Sequence, residues 1–312
     1  MIHPKVLLRE AVYYAPRGEA RLQLLGSVIG QNFLSHEDKL IGLIGDSGSG
    51  KSLLIRGMFP GLNLTNDDEG VYRRPLPLLE DYERGKFYEY IYHVDIRFEL
   101  AFYPIYLIAE AILKALEEDK KIVCEHFELI YPYIKRNADL LIGIGEEVIV
   151  SRPNIFGPLP EDIVKIVFTS LKYRLQAHTA EDLTGMVLED HGYFRYIEGH
   201  SDVRHGFVIR LREKIKIDPS EIEEEVKKYI ESGIEVSYVD RQHIKIGDRI
   251  ISCTGPRLHV KNTKEIREFC LYPDLIFDEE EGDYLLVGFV DIEEYDKIVN
   301  KLKEREGRYD KD

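Results

Sequence analysis

The chain contains no tryptophan, only three cysteines and no long apolar run. The cysteines, Cys124, Cys253 and Cys270, are widely spaced and odd in number, so they do not indicate a disulfide framework. No segment reaches the roughly 20 apolar residues of a membrane-spanning helix, and the first residues lack the pattern of a secretion signal. We therefore expect a cytoplasmic protein without a membrane contact.

Positive charge is also scarce, because 42 lysines and arginines stand against 57 aspartates and glutamates. Proteins that bind nucleic acid regardless of its sequence depend on basic surface. The formal net charge of -15 therefore disfavours that class of protein. It leaves room for a small local basic patch that contacts the end of a tRNA.

The first half of the chain alternates between helical and strand-like patterns. Apolar spacing over residues 19–33 predicts an amphipathic helix, and the run Leu40–Ile44 predicts a buried parallel strand. Residues 90–96 and 121–124 predict further strands, and residues 139–151 predict a strand, a turn and a strand. This alternation predicts an α/β domain with a mostly parallel sheet and helices on both faces.

The second half has a different pattern. Three prolines and a glycine cluster within residues 151–161, so we place a domain boundary there, with domains at 1–155 and 156–312. A long helical stretch over residues 161–188 is followed by short strand-like runs that one amphipathic helix interrupts. This order predicts an α+β domain with an antiparallel sheet.

Residues 45–52 read GDSGSGKS and match the complete template of a phosphate-binding loop. Gly45, Gly50, Lys51 and Ser52 fill the fixed positions, an apolar strand precedes the loop, and a helical pattern follows it. We therefore expect ATP and Mg²⁺ to bind here, with Lys51 on the β- and γ-phosphates and Ser52 on the Mg²⁺. The expected nucleotide-binding residues are Gly45, Asp46, Ser47, Gly48, Ser49, Gly50, Lys51 and Ser52.

Residues 63–75 read NLTNDDEGVYRRP, an acidic pair followed by an aromatic residue and two basic ones. This segment resembles its counterpart in the uridine kinase and phosphoribulokinase families, where an aspartate accepts the proton of the substrate hydroxyl. The resemblance implies that Asp67 or Asp68 is a general base. The same pair also fits a solvated loop or a helix cap.

Residues 123–130 and 139–153 resemble the later strands of the same kinase class. Glu125 ends an apolar strand, so we predict that it holds a water bound to Mg²⁺; Asp95 is the alternative. The resemblance implies a kinase that transfers the γ-phosphate to a small, nucleoside-like substrate bearing a hydroxyl.

Residues 246–269 and the stretch AHTAEDL at 177–183 resemble the second additional, editing domain of alanyl- and threonyl-tRNA synthetases. In that family two histidines, four residues apart on a helix, bind Zn²⁺ together with a cysteine and a histidine from a turn. The resemblance assigns these roles to His178, Asp182, Cys253 and His259. Aspartate replaces the second helical histidine, and two extra residues separate the cysteine from the last histidine.

Three functions fit the sequence. The first is an ATP-dependent kinase whose second domain recognises a small molecule or a tRNA end. The second is an aminoacyl-tRNA trans-editing hydrolase that the nucleotide domain regulates. The third is a non-catalytic nucleotide switch. The acidic charge balance and the altered metal motif disfavour the hydrolase.

Overall fold

The computed structural model describes residues 10–65, 76–203, 205–293 and 295–300. The chain divides into two compact units, Met1–Thr169 and Ser170–Asp312. Among the described residues, no helix combines the length and the apolar composition needed to cross a membrane.

Within the described part of the first unit, six strands form one sheet. They are β1 (Glu10–Tyr14), β2 (Leu40–Ile44), β3 (Ile91–Asp95), β4 (Lys121–Glu125), β5 (Leu140–Ile144) and β6 (Glu147–Ser151). The spatial order is β1-β6-β5-β2-β4-β3. Strands β3, β4, β2 and β5 run parallel, whereas β6 and β1 join antiparallel at one edge. The mostly parallel sheet expected from the sequence is therefore confirmed.

Helices cover both faces of this sheet. They are α1 (Glu19–Phe33), α2 (Lys51–Met58), α3 (Pro77–Arg84), α4 (Ile96–Glu99), α5 (Ile105–Glu117) and α6 (Phe127–Ile134). On one face, Ile41 and Leu43 pack with residues of α1 and α2. On the other face, Leu40 and Ile122 pack with residues of α5 and α6. Strand β2 is buried along its whole length, which explains why its sequence is apolar without alternation.

Helices α1 and α2 pack at very short range. A Cβ atom on Gly57 would lie 2.0 Å from the carbonyl oxygen of Gln23, and one on Gly26 would lie 2.2 Å from that of Leu54. These two glycines are needed because no side chain fits between the backbones. The contact holds α2, and with it the glycine-rich loop of residues 45–50, against α1.

A long helix, α7 (Pro160–Asp190), begins in the first unit and continues into the second. Ile163 and Val167 pack in the core of the first unit, and Ala177 packs in the core of the second. The boundary expected at residue 155 precedes this helix, whereas the division into units falls inside it. Proline is well suited to the first turn of a helix, and Pro160 starts α7.

The second unit is α+β, and its described strand pairs are antiparallel. The strands are β7 (Ile197–Val203), β8 (Gly206–Leu211), β9 (Val236–Asp240), β10 (His243–Ile246), β11 (Arg249–Ser252), β12 (Cys270–Leu271), β13 (Ile276–Asp278) and β14 (Asp283–Phe289). Strands β9 to β11 form one sheet, and the others form a second sheet around β14. Helix α8 (Pro219–Ser232) lies between β8 and β9 in sequence. This unit confirms the antiparallel sheet expected for the second half.

Candidate functional site

The expected phosphate loop connects the end of β2 to the first residue of α2. Gly48 and Gly50 have φ angles of 80° and 102°, a region of backbone conformation that favours glycine. The first turn of α2 adds the positive end of a helix to the loop. Among the described residues, the buried hydroxyl of Ser49 has no hydrogen-bond partner. A phosphate oxygen in the loop would supply that partner.

Lys51 lies inside this loop and is only 4% exposed. Its Nζ donates hydrogen bonds to the carbonyl oxygens of Gly45, at 3.0 Å, and of Asp46, at 2.8 Å. Nζ also lies 3.8 Å from Oε2 of Glu125. Burial lowers the pKa of Lys51, and the negative charge of Glu125 opposes that shift. The ammonium group therefore lies between two loop carbonyl oxygens and the carboxylate of Glu125.

Glu125 ends β4, the strand next to β2, and lies opposite Leu43 in the parallel register. Its Oε1 accepts a hydrogen bond of 2.8 Å from the hydroxyl of Ser52. Burial alone would raise the pKa of Glu125, but a hydrogen bond from His93 and the positive charge of Lys51 outweigh it and lower that pKa to about 2. A carboxylate and a hydroxyl at this distance offer oxygen ligands of the kind that Mg²⁺ takes in proteins.

His93 orients this carboxylate. The backbone N–H of Thr65 donates to its Nδ1 at 3.0 Å, so Nδ1 is an acceptor and the proton lies on Nε2. Nε2 then donates to Oε1 of Glu125 at 3.2 Å. Sequence reasoning missed His93. The available signal was its position on β3, two residues before the polar end of that strand.

Asp95 and Arg97 also lie at this end of the sheet, where the parallel strands finish. Asp95 ends β3 and lies opposite Glu125 in the register. Its Oδ1 accepts the N–H of Phe98 at 3.1 Å, which caps α4. Arg97 Nη1 donates to Oδ1 of Asp46 in the loop at 2.9 Å. The loop cation and three acidic side chains therefore meet at one end of the sheet, together with an arginine.

The proposed general bases, Asp67 and Asp68, lie outside the described residues. Asp95, which the sequence offered as the alternative to Glu125 for holding the Mg²⁺-bound water, lies opposite Glu125 in the parallel register. The other expected site residues of the first unit occupy the loop and the strand end described above.

In the second unit, α7 and the turn after β11 bring together His178, Asp182, Cys253 and His259. Each offers one ligand atom, and these atoms all lie within 4.8 Å of one another. His178 and Asp182 share a helix face because they are four residues apart. Cys253 directly follows β11, and His259 comes from the turn beyond it.

The four donor atoms lie close enough to share one metal ion. Sγ of Cys253 lies 3.3 Å from Nε2 of His178 and 3.9 Å from Nε2 of His259. Nε2 of His259 lies 2.8 Å from Oδ2 of Asp182. Zinc bonds of about 2.0–2.3 Å at tetrahedral angles give ligand separations of roughly 3.5 Å. Histidine, cysteine and carboxylate are zinc ligands, so the donor set fits Zn²⁺ as well.

Hydrogen bonds hold the turn in place against α7. The N–H of Gly255 donates to Sγ of Cys253 at 3.3 Å, and the N–H of Val260 donates to Oγ1 of Thr179 at 3.1 Å. The turn that contains the two extra residues therefore still directs His259 at the other three donors.

Comparison with known proteins assigns no family to the chain. No protein-family model matches it, and no curated protein gives a significant match.

Proposed function

We propose that the first unit binds Mg²⁺-ATP and transfers its γ-phosphate to a small, nucleoside-like substrate that bears a hydroxyl. The observation that carries this proposal is the meeting of Lys51, Ser52 and Glu125 at the end of the parallel sheet. A lysine, a hydroxyl and an ionised carboxylate are the three groups that a P-loop enzyme directs at Mg²⁺ and the terminal phosphates. The buried hydroxyl of Ser49 supports phosphate as the ligand.

The chemistry that these residues supply is mainly electrostatic. Phosphoryl transfer needs positioning and neutralisation of charge more than covalent help from the protein. Lys51 would neutralise the β- and γ-phosphates. Ser52 and Glu125 would hold Mg²⁺, directly and through a water molecule respectively, and His93 would keep Glu125 in place. Mg²⁺ itself supplies further neutralisation of the phosphates.

Two carboxylate groups are candidates for the base that accepts the hydroxyl proton. One is the pair Asp67 and Asp68, on the kinase resemblance. The other is Asp95, because β3 ends beside Glu125 at the edge of the sheet where the loop lies. Removing a positioned base lowers the rate by about 10²–10⁴ and leaves ATP binding intact. The pair and Asp95 are substituted by asparagine in separate variants. The base is the group whose loss lowers the rate while ATP binding stays intact.

The proposal is tested by calorimetry with Mg²⁺-ATP and by transfer of labelled γ-phosphate to a panel of nucleosides and small polyols. Lys51→Ala should abolish both binding and transfer, whereas Lys114→Ala, on the exposed face of α5, should change neither. Equal ATP affinity in Lys51→Ala and the unaltered protein would refute the site. Binding without transfer or hydrolysis would instead support the nucleotide switch.

For the second unit we propose a zinc-stabilised binding module that recognises the substrate. The observation that favours it is the altered ligand set: Asp182 stands where the editing family has its second helical histidine, and its Oδ2 lies 2.8 Å from Nε2 of His259. The alternative is hydrolysis of mischarged tRNA, the activity that the resemblance to the editing domain implies. Deacylation of alanyl- and seryl-tRNA with zinc-loaded protein distinguishes the two, because the module should be inactive and the hydrolase active.

A further inference from the structure

An arginine contacts the phosphate loop from a neighbouring strand end. Oδ1 of Asp46, the second loop residue, accepts a hydrogen bond of 2.9 Å from Nη1 of Arg97 and one of 2.7 Å from the N–H of Ser47. The carbonyl oxygen of Asp46 accepts a hydrogen bond from Lys51. The Arg97 guanidinium therefore lies beside the residue that connects β2 to the glycine-rich part of the loop.

The backbone of Arg97 is fixed while its side chain reaches solvent. Asp95 caps the short helix α4 by accepting the N–H of Phe98, which fixes the start of the helix at the end of β3. The side chains of Arg97 and Asp46 are each 46% exposed. Ion pairs at this level of exposure are weak because water screens them. The guanidinium can consequently exchange partners without disturbing the fold.

A bound triphosphate would be a stronger partner than Asp46. It carries about four negative charges and presents oxygens that a guanidinium binds with two parallel hydrogen bonds. Lys51 already lies within the loop, and Arg97 adds a second cation beside it for the outermost phosphate. We propose that Arg97 leaves Asp46 and binds the γ-phosphate, so that it distinguishes triphosphate from diphosphate and stabilises the group in transfer.

This inference rests on the proposed function and assigns Asp46 a role in it. Asp46 holds the guanidinium at the loop while no triphosphate competes for it, and so keeps it within reach. Asp46→Asn removes the negative charge of this ion pair, so less free energy is needed to separate Arg97 from residue 46. We therefore expect Asp46→Asn to bind a triphosphate more tightly, and Arg97→Ala to bind it more weakly.

The test compares the dissociation constants of Mg²⁺-ADP and of a non-hydrolysable ATP analogue with Mg²⁺. Arg97→Ala should weaken the analogue by about 10- to 100-fold, the loss expected for hydrogen bonds to a charged group, and leave ADP nearly unchanged. Its phosphoryl transfer should fall on the order of 10³-fold. Arg97→Lys should recover part of the analogue binding but little turnover, since an ammonium group lacks the two-pronged geometry.

Arg136→Ala is the matched control. Arg136 is also 46% exposed and paired with an aspartate, Asp139. Asp139 directly precedes β5, so this pair lies at the end of the parallel strands opposite to the glycine-rich loop. This variant should match the unaltered protein in both affinities and in turnover. If Arg97→Ala keeps the preference for ATP over ADP and keeps its turnover, the role of Arg97 is overturned, but the proposed function is not. Absence of any nucleotide binding by the unaltered protein would overturn the proposed function as well.

Discussion

Ser52 donates a hydrogen bond of 2.8 Å to Glu125, and this contact joins the first turn of α2 to the end of β4. The two residues meet because β2 and β4 are neighbours in the parallel register. Since the loop follows β2 directly, its hydroxyl comes to the end of β4 without further adjustment. The carboxylate therefore lies between a hydroxyl and an ammonium group.

Glu125→Gln should separate metal binding from nucleotide binding. The amide retains the size of the side chain and an oxygen for the Ser52 hydroxyl, but it loses the charge that attracts Mg²⁺. We expect ATP affinity without Mg²⁺ to change by less than about threefold, because in the proposed site the phosphates contact the cation Lys51 and not the carboxylate of Glu125. The gain in affinity on adding Mg²⁺, measured by calorimetry, should be lost. Glu117→Gln, on the exposed face of α5, is the control.

The stability of the metal-free protein should fall on acidification through Glu125. Its folded-state pKa of about 2 lies below the value near 4.3 of an exposed glutamate, so the unfolded chain binds the proton more readily. The stabilisation is therefore present above about pH 4.3 and is lost as the pH falls towards 2. Urea unfolding from pH 6 to pH 3 measures it. Glu125→Gln should show a shallower pH dependence, and identical slopes would contradict the depressed pKa.

The sequence was sufficient for the features that depend on nearby residues. The strand, loop and helix from Leu40 to Met58 form a continuous local pattern, and its elements lie where that pattern predicts. Spacing on one helix also predicts that His178 and Asp182 share a face. In each case a few neighbouring residues determine the geometry, so the order of the strands in the sheet does not matter.

Contacts between separate strand ends were not predictable in the same way. Arg97 reaches Asp46 across 51 positions, and His93 reaches Glu125 across 32. Both contacts depend on the order β2-β4-β3 in the sheet, which local spacing does not determine. The approach of Cys253 to α7 was expected only through resemblance to the editing domain, because no periodic pattern connects a turn to a helix 75 residues earlier.

Two glycine-to-alanine substitutions should have opposite effects on stability. Gly57→Ala places a Cβ atom 2.0 Å from the carbonyl of Gln23, so α1 and α2 must separate, at a cost of about 1–3 kcal/mol. Gly185→Ala, inside α7, meets nothing within 4 Å and should stabilise its helix by up to about 1 kcal/mol. Thermal unfolding of both variants tests this. An unchanged midpoint in Gly57→Ala would contradict the close helix contact.

Zinc in the second unit should depend on Cys253 and not on Cys270. Protein purified without chelator or metal-affinity resin should contain one zinc per chain by elemental analysis, and Cys253→Ser should lose it. Cys270→Ser should keep it, since Cys270 is outside the donor cluster. His259→Ala tests the turn, because the two extra residues before His259 still leave its Nε2 within 3.9 Å of the thiol sulfur.

Thiol reactivity gives a second measure of the same site. Burial raises the pKa of Cys270 to about 11 and that of Cys124 well above the ordinary value, so both thiols should react slowly with a disulfide reagent at pH 8. Bound zinc should protect Cys253, and a chelator should release one additional fast-reacting thiol in the unaltered protein. That thiol should be missing in Cys253→Ser and present in Cys270→Ser. If the protein contains no zinc and its thiol reactivity is the same with and without chelator, the four donors meet without binding a metal. The resemblance to the editing domain would then be one of fold only.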